Sequence, residues 1–191
     1  MAQAKIVLGK DYVVLAKQHK RVQANQIEVL EFFSYHCGRC FDVSRKMEAE
    51  ARRWPNYAKL QRIQVMWGQP FKGLLRLLAT IEKMGKVQTL HHRIFIAFLE
   101  QGLMLNDSNT ALNWVKKQPD INFKKFVEHF NSAAVSKLSN YYAAKTEEYN
   151  VDATPMVIVD GRYKVLPSMP DRMVQVTREL IAKAWKEAKR R

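Results

Sequence analysis

The sequence has almost no cysteine: two residues in 191, Cys37 and Cys40, three positions apart. A small secreted scaffold stapled by disulfides needs more of them, spaced further apart. Long apolar runs are missing too. Apolar runs are only a few residues long, MVIV at 156–159 among them, and a membrane-spanning helix needs roughly 20. A secretory signal needs an apolar stretch of roughly 7–15 residues, and IVL at 6–8 is too short. The chain therefore reads either as cytoplasmic or as a mature form whose signal is absent from this sequence. Ala2-Gln3-Ala4 resembles the small-residue end of a cleaved signal. No internal repeat or low-complexity segment stands out.

Acidic residues are scarce, 18 against 32 Lys and Arg, for a formal net charge of +14. Such a balance suggests attraction to something acidic, such as nucleic acid, anionic lipid or an acidic polymer. The charges are spread along the chain, with local concentrations at 45–62 and 183–191, and aromatic stacking motifs for nucleic acid are absent. A generally basic surface with no dedicated nucleic-acid partner is the expectation. The 47% hydrophobic content is that of a folded globular protein, and 191 residues suffice for one domain with a core, or one domain carrying an insertion.

The pattern predicts a short strand at 12–15 and a stronger one at Ile27–Phe33, rich in β-branched and aromatic residues. Glu31 falls on one face of that strand with Ile27, Val29 and Phe33. A helix then begins at the cysteines. Cys40, Val43, Met47, Ala51 and Trp54 make its apolar stripe, charged Asp42, Arg45, Lys46, Glu48 and Arg52 lie largely elsewhere, and Pro55 stops it. A third strand is predicted at 60–67. From 71 to about 145 the pattern is helical. Strand signals return at Met156–Val159 and 162–166 around an Asp160-Gly161 turn, and a last amphipathic helix follows Pro167 and Pro170. The order is that of an α/β core interrupted by helices.

Cys37 thus sits at a helix N-terminus and Cys40 one turn in, on the buried face. Closing so small a loop stabilises a fold by only roughly 2 kcal/mol, so the pair reads as chemistry rather than as a staple. A thiolate is the attacking species in disulfide exchange, and a helix N-terminus, Arg39 and His36 would all favour it. Cys37 would then attack and Cys40 resolve the mixed disulfide. Two alternatives stay open: half a zinc site, which needs ligands that His19, His36, His91, His92 and His129 do not supply at compact spacing, and a pair of inert buried cysteines.

EFFSYHCGRC at 31–40 resembles the active-site strand and motif of the disulfide-bond protein A (DsbA) family, and NVDATPMVIVDG at 150–161 resembles that family's cis-proline loop and hairpin. The resemblance covers nearly the whole chain. It implies a thioredoxin-like fold, residues 1–70 and 146–191, interrupted by an all-helical insertion, residues 71–145. It implies a periplasmic thiol:disulfide oxidoreductase that donates its disulfide to newly secreted, cysteine-containing proteins. A DsbB-type membrane quinone reductase would reoxidise it. No cofactor beyond the redox-active disulfide and no metal are implied, and a monomer is expected.

Carried over by position, Cys37 is the nucleophile, Cys40 the resolving thiol, Pro155 the cis-proline and Thr154 a backbone contact for extended substrate. Glu31 matches the family's buried acid, and Arg62 stands where a basic partner is common. The sequence departs from the family at Gly38-Arg39, where Pro-His is common, and at Thr154, where Val is common. Gly38, Arg39, His36, Glu31 and Arg62 are therefore the expected redox-tuning set. The departures keep a reductase or isomerase in play. Glutathione-transferase chemistry, which shares the fold but lacks the cysteine pair, and a basic binding module are the more distant alternatives.

Overall fold

The computed structural model describes residues 5–21 and 23–190; Ala2-Gln3-Ala4 and the terminal Arg191 lie outside them. Strands β1 (Tyr12–Val14), β2 (Ile27–Phe33), β3 (Ala58–Gln64), β4 (Met156–Val159) and β5 (Tyr163–Val165) form one sheet in the order β1-β5-β4-β2-β3. The helices are α1 (Gly38–Ala51), α2 (Lys72–Lys83), α3 (Val87–Leu99), α4 (Ser108–Lys116), α5 (Phe123–Phe130), α6 (Ala133–Glu148) and α7 (Pro170–Ala188).

The chain falls into two compact units. One comprises the segment up to Phe32, Asp42–Arg62 and everything from Ala153 onward. The other comprises Phe33–Phe41 and Ile63–Asp152. The segment carrying both cysteines is thus grouped with the helices, where the sequence placed it with the rest of residues 1–70.

In the first unit β2 is antiparallel to β4, with Glu31 opposite Val157 and Phe32 opposite Met156. Its core joins Val29, Val157 and Val159 from strands to Val43 and Met47 from α1 and Met173, Val176 and Leu180 from α7. All of these are apolar, so their removal from water supplies the main driving force. The β4–β5 turn has Asp160 at φ 58° and Gly161 at φ 61°, the pair of left-handed conformations that a two-residue hairpin turn demands. The Asp160 carboxylate is held there by both Nε and Nη2 of Arg21. Pro170 occupies the first turn of α7, where its missing N–H costs nothing.

The second unit is built on α2, which packs on α3, α5 and α6. Leu74, Leu78, Leu90, Phe95, Val115, Phe126, Val135 and Tyr142 are buried. Asp107, Asn122 and Ser132 cap α4, α5 and α6, their side chains accepting from backbone N–H groups of the first turn.

Several sequence expectations need correction. Trp54 lies beyond α1, which ends at Ala51. Glu48, read as lying with the solvated charges, is buried; the cause is an ionic partner on β3, described below. β3 spans Ala58–Gln64 rather than 60–67. Val65 N–H still donates to the Phe33 carbonyl at 2.9 Å, and beyond it the chain's polar groups turn to other partners: Met66 N–H donates to Thr146 Oγ1 and Trp67 Nε1 to the Val151 carbonyl.

Candidate active site

Cys37 and Cys40 are joined by a disulfide. Cys37 immediately precedes α1. Its carbonyl accepts from Phe41 N–H at 3.2 Å, and its Sγ accepts from Cys40 N–H at 3.1 Å. Cys37 therefore takes the place of a helix N-cap, with sulfur where a serine or aspartate oxygen would sit. Its own N–H donates to the Ser34 carbonyl at 3.0 Å, which fixes the chain's entry to the helix. Cys40 is fully buried and Cys37 is partly accessible.

Gly38 is the first residue of α1, and an added Cβ there would meet nothing within 4 Å. Arg39 follows it and is exposed. His36 is exposed at its edge, but its ring packs edge-on against Phe98 at 4.6 Å and Phe71 at 5.8 Å. This apolar packing withdraws water from the imidazole and pulls its pKa below the ordinary histidine value.

The preceding residue, Tyr35, is fully buried and fixed twice. Its N–H donates to Gln64 Oε1 at 3.1 Å, and its hydroxyl lies 2.9 Å from His91 Nδ1. Sequence reading missed both partners: a glutamine ending a strand and a histidine on a helix carry no signal until the fold joins them to residue 35.

In the first unit, Glu31 is fully buried on β2. Arg62 Nε on β3 lies 3.6 Å from Glu31 Oε2, and Arg62 Nη2 donates to Glu48 Oε2 at 3.3 Å. Burial raises the Glu31 pKa above the usual carboxylate range. The Arg62 charge and the Ser44 hydroxyl oppose that rise, and the Glu48 charge adds to it. Ser44 acts without meeting full hydrogen-bond geometry, and neither Glu31 oxygen has a hydrogen-bond partner among the described residues.

The Thr154–Pro155 peptide is cis and leads directly into β4. Pro155 is buried and Thr154 half-buried.

Among the described residues no group of three or more His, Cys, Asp or Glu side chains is placed to hold a metal ion, and no helix is long and apolar enough to cross a membrane. A disulfide spanning one turn at a helix start, with one cysteine partly exposed and the other buried, is suited to exchange with external thiols.

No protein-family model matches the chain. The thiol:disulfide interchange protein DsbA of Pseudomonas syringae pv. tomato is 30% identical over 184 residues, covering 95% of this chain and 86% of the relative. The corresponding protein of Burkholderia cepacia is 28% identical over 84% of this chain and 76% of the relative. The oxidoreductase DsbA3 of Neisseria meningitidis superposes with a TM-score of 0.86 at 31% identity, covering 96% of this chain and 100% of that one. DsbA1 of the same organism superposes with a TM-score of 0.90 at 27% identity, covering 99% and 98%. The fold is thus thioredoxin-like with a helical insertion. With this identity and coverage, and with a disulfide across the Cys37-Gly38-Arg39-Cys40 motif, the chain belongs to the DsbA family of the thioredoxin superfamily and is a thiol:disulfide oxidoreductase.

Proposed function

We propose that the protein works as a dithiol oxidase whose attacking and leaving sulfurs are set by the start of α1. A substrate thiolate attacks the accessible Sγ of Cys37. The Cys37–Cys40 bond breaks and its electron pair stays on Cys40. A second substrate thiolate then attacks the substrate sulfur of the mixed disulfide and expels Cys37 as thiolate. The substrate gains a disulfide and the protein two electrons, held on the two cysteine sulfurs; of the protons lost when the substrate thiols ionise, one goes to Cys40 and the other to solvent. No cofactor beyond the cysteine pair takes part.

The Cys40 N–H aimed at Cys37 Sγ carries this reading. In the reduced protein the same donor faces a thiolate, where a hydrogen bond to charge is roughly twice as strong as to a neutral acceptor. The positive end of α1 adds to it. Stabilising the thiolate product makes the disulfide the stronger oxidant. Arg39, on the first turn, and His36 tune that balance, and Gly38 leaves the turn less rigid.

Glu31, poorly paired and buried, is read as exchanging a proton with Cys40 during turnover, with Arg62 limiting its charge. Thr154 and Pro155 are read as receiving an extended substrate segment by strand addition. Family membership supports unfolded, newly secreted cysteine-containing proteins as substrates, a DsbB-type membrane quinone reductase as reoxidant, and the periplasm, as a mature monomer, as the place of work. One observation favours a second reading: Thr154 stands before Pro155, as in some isomerases, which would make the protein a reductase or isomerase.

The deciding experiment is the equilibrium reduction potential of Cys37–Cys40 in glutathione buffers. A value well above about −200 mV is expected; one near about −270 mV would move the protein to the reducing side.

A further inference from the structure

Arg62 stands between two carboxylates and hydrogen-bonds one of them. Its Nη2 donates to Glu48 Oε2 over 3.3 Å, while its Nε, 3.6 Å from Glu31 Oε2, makes no hydrogen bond. The other Glu48 oxygen accepts from Arg52 Nη2 at 3.1 Å, and the Arg52 side chain is 65% exposed. Four charges thus form a row, Glu31–Arg62–Glu48–Arg52, that runs from a fully buried carboxyl to solvent.

A guanidinium is a planar fork that satisfies one carboxylate with two parallel bonds. Here the fork is divided, and its hydrogen bond goes to the carboxylate that a second arginine already serves. Glu31 receives only a through-space attraction. A buried carboxyl gripped bidentately by arginine stays ionised, and one with no cation nearby stays protonated. Glu31 lies between these limits. Among the described residues, the charged and polar groups that act on it are Arg62 from β3 and Ser44 and Glu48 from α1, and on β4 its register partner is the apolar Val157.

We propose that Glu48 is a positioning residue: by holding the Arg62 guanidinium it denies Glu31 a closed ion pair, and so keeps the buried carboxyl able to take up and release a proton. The use of that proton in disulfide exchange rests on the role given to Glu31 above. The positioning itself rests only on the four side chains.

The test follows the Glu31 carboxyl by 13C NMR in glutamate-labelled protein, with Glu31→Gln identifying its signal. Three proteins are titrated: wild type, Glu48→Gln and Glu48→Met. The amide of Glu48→Gln keeps an acceptor for Arg62 but loses the charge. Glu48→Met fills the same space with neither, so Arg62 is free to close on Glu31. The Glu31 midpoint is expected to fall in Glu48→Gln and to fall further in Glu48→Met. Equal midpoints in the two variants would mean that Glu48 acts by charge alone, and would overturn the proposal. An unchanged or raised midpoint would overturn it as well. If Glu48→Met does not fold, Glu48→Ala takes its place with the same expected order.

Single-turnover thiol-exchange rates against pH in the same variants separate the two ideas. If the rate profile moves with the Glu31 midpoint, both stand. If the midpoint moves and the rate profile does not, Glu48 still positions Arg62, and it is the proton-transfer role of Glu31 that fails.

Discussion

The backbone N–H of Cys40 points at the sulfur of Cys37 across 3.1 Å, so that the accessible half of the disulfide is also the cap of the helix that carries the buried half. The arrangement is local and needs only the α1 start. It predicts that the reduced protein holds Cys37 as a thiolate below the ordinary cysteine pKa of about 8.5. Thiolate absorbance near 240 nm, followed during a pH titration of the reduced protein, checks this. The same preference should leave the reduced form more stable to urea than the oxidised form, by about 1 kcal/mol or more. A midpoint at or above the ordinary value, or a more stable oxidised form, would remove the basis for an oxidase.

Arg62→Met should destabilise the protein by about 3 kcal/mol at neutral pH, because it removes the cation beside the buried Glu31 carboxyl and leaves the buried Glu48 with Arg52 alone. The pH dependence has a definite sign. Glu31 has a raised pKa when folded, so above the usual carboxylate range the folded state binds more protons than the unfolded state. Stability is then lost as pH rises through the folded-state value. Without Arg62 that loss should be steeper, and the variant should recover part of its deficit at acidic pH. Urea unfolding at several pH values between 5 and 8 would show it; a deficit independent of pH would contradict the account.

Asp11 behaves in the opposite sense. Its carboxylate accepts from Arg172 Nε at 2.8 Å and Nη2 at 2.7 Å, and from Val7 N–H at 2.8 Å, and the Arg172 bonds chiefly hold its pKa below the ordinary value. A depressed carboxyl contributes stability that is present above its unfolded pKa and is lost as pH falls through the folded one. Asp11→Asn should therefore cost about 1–3 kcal/mol at pH 7 and progressively less below pH 3.8. Acid unfolding curves of the two proteins should converge at their low-pH end.

His36 should be neutral at pH 7, because apolar packing lowers its pKa. Phe98→Ala opens one side of the ring and should move the midpoint back toward 6.5. Histidine ring signals in NMR against pH measure it directly. An unchanged midpoint would mean that Phe98 does not shield the ring.

Gly73 has a backbone role and no chemistry. A Cβ built there would lie 1.9 Å from the Asn106 carbonyl oxygen, inside any permitted contact. Gly73→Ala should force the two segments apart and cost about 2 kcal/mol, the scale of overpacking in a close-packed interior. The reduction potential should not change, since both segments lie away from the cysteine motif in sequence. A neutral substitution would contradict this role for Gly73.

Much of this was legible in the order of residues. IEVLEFF and MVIV read as strands and are strands with the same ends, because β-branched and aromatic residues pack densely there and turn signals follow the second. The hairpin was legible for the same reason: Asp160-Gly161 names its own backbone conformation. Within the helical stretch, sequence patterning gives apolar faces but not the helix ends, although Asp107, Asn122 and Ser132 stand as caps. β3 was misplaced because Val65, Met66 and Trp67 look like strand residues, while what ends the strand is a set of hydrogen bonds to Thr146 and Val151, more than 70 positions away. Glu48 was the largest miss. A glutamate beside Lys46 and Arg45 on a helix has the signature of solvent exposure, and the arrival of Arg62 on β3, together with Arg52, makes its burial tolerable.

A disulfide is chemically symmetrical, and either sulfur could serve as the electrophile for an incoming thiol. Here the residue that carries one sulfur has no surface, and the residue that carries the other is partly exposed. Access alone makes the bond regioselective, before any electronic preference acts. In the proposed exchange the incoming thiolate then meets residue 37, and the electron pair of the broken Cys37–Cys40 bond goes to residue 40. The burial of Cys40 thus gives the enzyme a fixed polarity, and a bulky alkylating reagent applied to the native reduced protein should count one thiol where the sequence counts two.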